Sequence, residues 1–179
     1  MAHDSALALL NRVRAADDPE LVERVTQFAE LNGIEAVAEL WAHAAPRSLP
    51  GALWRVYLLH TLIVQDGQLV ALAYDRGRLL HPGVDPVVAG VAVPVGPEEI
   101  RVVAEQVLRG VFAGDFAVAL ERAAACARVC SAGFIDLAHD ADAADPERAC
   151  QFTTRADRLA TIASELTSCA RLWRAHSLD

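Results

Sequence analysis

Four thiolates suffice to bind zinc tetrahedrally, and the chain carries four cysteines, Cys126, Cys130, Cys150 and Cys169. Cys126 and Cys130 are four apart, which on a helix puts both sulfurs on one face. No CxxC knuckle accompanies them, and both sit in alanine-rich apolar text where a thiol behaves as a small hydrophobe. The preferred expectation is free core thiols in a reducing compartment, with a zinc site on these four as the alternative.

A second set surrounds the apolar stretch Gly51 to Val64: Arg55, Tyr57 and His60, with Trp54 among them, Arg47 just before, and Trp41 and His43 upstream. A charge inside an apolar helix is expensive unless paired. Arg55 is therefore expected to meet an acidic side chain or a ligand anion, and the 24 acids of the chain favour the first. The second would make a small-molecule site, enzymatic or not, lined by Trp41, Arg47, Trp54, Arg55, Tyr57 and His60 and closed by the segment Val84 to Val95.

Other clusters carry less. His139, Asp140, Asp142, Asp145 and Glu147 form an acidic loop, but an EF-hand counted from Asp140 needs glycine and glutamate where Asp145 and Gln151 stand. Ala29 and Gly33 have helix-turn-helix spacing, yet the helix that would enter the groove, from Ile34 to Trp41, holds Glu35 and Glu39 and no arginine. Phosphates would repel it. A net charge of −8 and a pI near 5.2 argue against nucleic acid for the whole chain as well. All 16 basic residues are arginine, which excludes Schiff-base chemistry and a P-loop lysine. Neither a nucleophile elbow, nor a glycine-rich phosphate loop, nor HExxH occurs. The expectation is no cofactor and no enzyme motif.

The elements that must position these residues are punctuated clearly. Asp18-Pro19-Glu20, Gly96-Pro97-Glu98 and Asp145-Pro146-Glu147 each place a capping residue before a proline at the first helical position, with acid in the first turn. Ser48, Asp115 and Thr154 supply weaker starts; Asn32-Gly33, Asp66-Gly67 and Gly110 read as stops. Between them the apolar spacing is helical, as in Phe116, Leu120, Ala123, Ala127, Cys130, Phe134 and Leu137, and again in Leu159, Ile162, Leu166, Cys169 and Trp173. Gly51 to Val64, apolar on nearly every side, is expected to be the central helix. His81 to Gly96, with three prolines and three glycines among valines, is expected to be a long loop lying across the bundle.

With 54% hydrophobic residues and only 22% charged, 179 residues form an all-α, single-domain antiparallel helical bundle of about six to eight helices. A helical hairpin over 4–45 would pack on a bundle over 48–178. The start Met-Ala-His-Asp-Ser lacks the basic region of an export signal, and no apolar run reaches the roughly 20 residues of a membrane span. A cytoplasmic protein is expected, with no membrane association.

Three stretches, Arg47-Ser-Leu-Pro-Gly-Ala-Leu-Trp-Arg-Val-Tyr-Leu-Leu, Val88-Ala-Gly-Val with Gly96-Pro-Glu-Glu, and Leu108-Arg-Gly-Val-Phe-Ala-Gly-Asp-Phe-Ala-Val-Ala-Leu, together resemble an uncharacterised actinobacterial family. The resemblance covers roughly the middle half of the chain. It implies an all-helical soluble protein from a GC-rich actinobacterium and carries no catalytic residues across. The function expected from the sequence is a non-enzymatic, cytoplasmic protein-interaction module, with a protein partner or a second copy as its target. The alternatives are the small-molecule protein and the cysteine-based zinc protein above.

Overall fold

The computed structural model describes residue 6, residues 41–80 and residues 82–178. The expected hairpin over 4–45, apart from Ala6 and residues 41–45, lies outside the described residues. So do the Asp18-Pro19 start, the Asn32-Gly33 stop and nearly all of the helix-turn-helix segment.

Among the described residues six helices follow one another: α1 (Leu49–Gln65), α2 (Gly67–Leu80), α3 (Val84–Ala89), α4 (Pro97–Ala113), α5 (Phe116–Ala141) and α6 (Pro146–Arg174). No strand occurs among the described residues, so the fold is an all-α bundle. The caps read from the sequence do their work. The side-chain oxygens of Ser48, Asp115 and Asp145 accept from the backbone N–H of Gly51, Val118 and Arg148, each satisfying a donor that the first turn leaves orphaned.

The longest helices, α5 and α6, form an antiparallel hairpin across the short turn at 142–145. Their contacts run in opposite order. Phe116 meets Trp173, Arg128 reaches Thr167, the Ser131 hydroxyl donates to the Ala156 carbonyl at 2.8 Å, and Phe134 meets Phe152. The expected seam from Phe116 to Leu137 is buried along its whole length.

Helix α2 crosses α5 at backbone contact. A Cβ on Gly77 would lie 1.9 Å from the Val129 carbonyl oxygen, and one on Gly133 would lie 1.6 Å from that of Ala73. Only glycine fits at either position, because these neighbours are backbone and cannot swing away. Helix α4 packs against α1, α2 and α5. At Asp66 the chain turns by 106° between α1 and α2. The Asp66 carboxylate accepts from Arg155 of α6 at 2.7 Å, which fixes the corner to the hairpin.

Four expectations are corrected. The central helix is α5, with 15 of its 26 residues buried, whereas α1 leaves Trp54, Arg55, Tyr57 and His60 half-buried. Gly110 does not end a helix; it lies inside α4, where a Cβ would sit 2.9 Å from that of Ala119, so its smallness serves packing. Thr154 is interior to α6, its hydroxyl donating back to the Cys150 carbonyl at 2.9 Å instead of capping. The segment 81–96 is not a loop throughout, since α3 occupies its middle. Pro86 sits in the first turn of α3, where a missing N–H breaks no helical bond.

Candidate functional site

Helix α1 turns Arg55 and His60 to different sides. Arg55 and His60 are five residues apart, about 140° around a helix. Arg55 faces α6, where its Nε forms an ion pair with Glu165, and its Nη1 donates to the Gly51 carbonyl of its own helix at 2.9 Å. Both side chains are largely out of water, 12% and 20% exposed, so the acidic partner expected for a buried arginine is present. His60 lines a different crevice with Val56, Leu59, Ile63, Val103, Ala104, Val107 and Cys126. Its volume, about 10 Å³, is that of a single water.

Trp54 and Tyr57 stack on each other, ring centroids 5.4 Å apart, and are half-buried. Trp41 is buried, while His43 and Arg47 are exposed. Within the segment Val84 to Val95, helix α3 has its seat on α5, and Val91 and Val95 pack against the core. Arg55 and His60 of the expected small-molecule site thus have different neighbours, Glu165 of α6 for the first and the side chains of α4 and α5 for the second.

The cysteines do not converge either. Cys126 and Cys130 are buried one turn apart on α5, and a hydrogen bond with the Cys126 thiol together with burial pushes the Cys130 thiol well up. Cys169 is buried on α6, its thiol donating to the Pro46 carbonyl at 3.5 Å, and burial raises it to about 11. Cys150 is exposed. Thiols held protonated are poor nucleophiles and poor ligands. Among the described residues no group of three or more His, Cys, Asp or Glu side chains is arranged to hold a metal ion. The four-cysteine zinc site is thus not formed. The expected acidic loop is shorter than read, since His139 and Asp140 lie in the last turn of α5 and Glu147 in the first turn of α6; Asp145 caps α6 and Asp140 pairs with Arg76 of α2 at 3.1 Å, so neither is a spare ligand.

Two surface features escaped the sequence reading. An open cleft of about 440 Å³ at the start of α6 is lined by Leu69, Asp145, Glu147, Arg148, Gln151, Phe152 and Arg155. Arg148 stands over the Phe152 ring and Arg155 over that of Phe134, at 5.3 and 5.9 Å. Two arginines and two acids cancel, so the cleft has no field that selects an ion. Its signal in the sequence was the Arg148, Phe152, Arg155 row at i, i+4, i+7.

The second feature is α3 itself. Val84, Val87 and Val88 occupy one face at i, i+3, i+4 and are 75%, 80% and 37% exposed, while Ala89 is fully buried. Asp85, on the inner side, accepts two bonds from Arg128 of α5 at 2.8 and 2.9 Å. The Tyr74 hydroxyl of α2 donates to the Pro86 carbonyl at 3.3 Å, its phenol pushed up chiefly by burial. A helix that turns aspartate and alanine inward and valines outward reverses the arrangement burial favours. Leu79 and Leu80 at the end of α2 and Val93 beyond α3 are also more than half exposed.

No family model, no curated protein and no solved structure matches the chain. Among the described residues no single helix is long and apolar enough to cross a membrane.

Proposed function

We propose that this chain is a non-enzymatic, cytoplasmic helical module that acts through protein contacts, and that the outward face of α3 is its contact face. The observation that carries this reading is the inverted helix: valines at 84, 87 and 88 point to solvent from a backbone anchored by Arg128 and Tyr74. Apolar side chains grouped on one exposed helix face are a feature of interaction sites. Anchoring matters because a preorganised apolar face loses little conformational entropy on binding. Four free thiols support a reducing compartment.

A photo-crosslinking residue placed at Val87 tests this in cells. It should give protein adducts, while the same residue at Val102, an exposed valine on α4, should not. Equal labelling at the two positions, or none at Val87, contradicts the reading.

A further inference from the structure

We draw no further inference here: the strongest candidate, the open cleft of about 440 Å³ at the start of α6, joins a helix N-terminus already capped by Asp145 to side chains whose charges cancel, and nothing in the structure points to a ligand for it.

Discussion

Helix α5 and helix α3 are written in similar small apolar residues and use them in opposite directions. In α5, Ala123 through Ala127, Val129, Cys130 and Gly133 are all buried, and α2 and α6 close over them. In α3, three of the four apolar side chains besides proline face solvent, and the buried side carries Ala89 and the Asp85 anchor. Hydrophobic content therefore states how much apolar surface exists, not where it goes. What distinguishes the two is partnership within the chain. Helix α5 has helices on several sides, whereas α3, among the described residues, rests chiefly on α5 and leaves its bulkier face exposed.

The comparison is broken most severely at the α2–α5 crossing. Gly133→Ala should destabilise the fold by roughly 3 kcal/mol or more, since the new methyl meets the Ala73 carbonyl and one backbone must move. Chemical denaturation measures it, and a change near zero would show that α2 does not touch α5 at backbone distance. Next comes Arg55→Met, which strands Glu165 in a largely buried site and should cost about 2–3 kcal/mol. Adding Glu165→Leu should recover most of that loss; no recovery would refute the pair.

These two sites differ in how far the sequence disclosed them. The Arg55 pairing was legible because a charge in apolar text needs a counter-charge, although which acid answers it was not. Caps at Ser48, Asp115 and Asp145 and the α5 seam were legible because they depend on neighbours three or four residues away. The glycines at 77, 110 and 133 were not, because close helix crossing is a non-local property that looks in the sequence like a stop or a gap. The α3 helix was missed because two prolines and a glycine at 82, 83 and 86 outweighed six residues of weak propensity. Its valines were expected to lie across the bundle, but exposure is decided by what packs nearby and not by residue type.

The anchoring of α3 sharpens the contrast more gently. Arg128→Met removes the two bonds to Asp85 and the one to Thr167, and should cost about 1 kcal/mol or less globally. Amide exchange should accelerate over 84–89 while α5 remains protected; uniform acceleration would mean that α3 is no separate unit.

The smallest effect is expected where α5 and α6 meet near their ends. There the Arg174 hydrogen bond holds the Glu121 carboxyl below its ordinary value of 4.5. A carboxyl depressed in the folded state stabilises above its unfolded value, and that contribution disappears as pH falls through the folded one. Glu121→Gln should therefore slightly flatten the loss of melting temperature from about pH 5 to pH 2. An unaltered acid limb would mean the pair is fully screened.

Amide hydrogen exchange tests the contrast between the two helices most directly, with α5 as the internal standard. Exchange over 84–89 should be faster than in the α5 core, which helices cover on several sides, because α3 bares its valine face. Equal protection of the two helices would contradict the account.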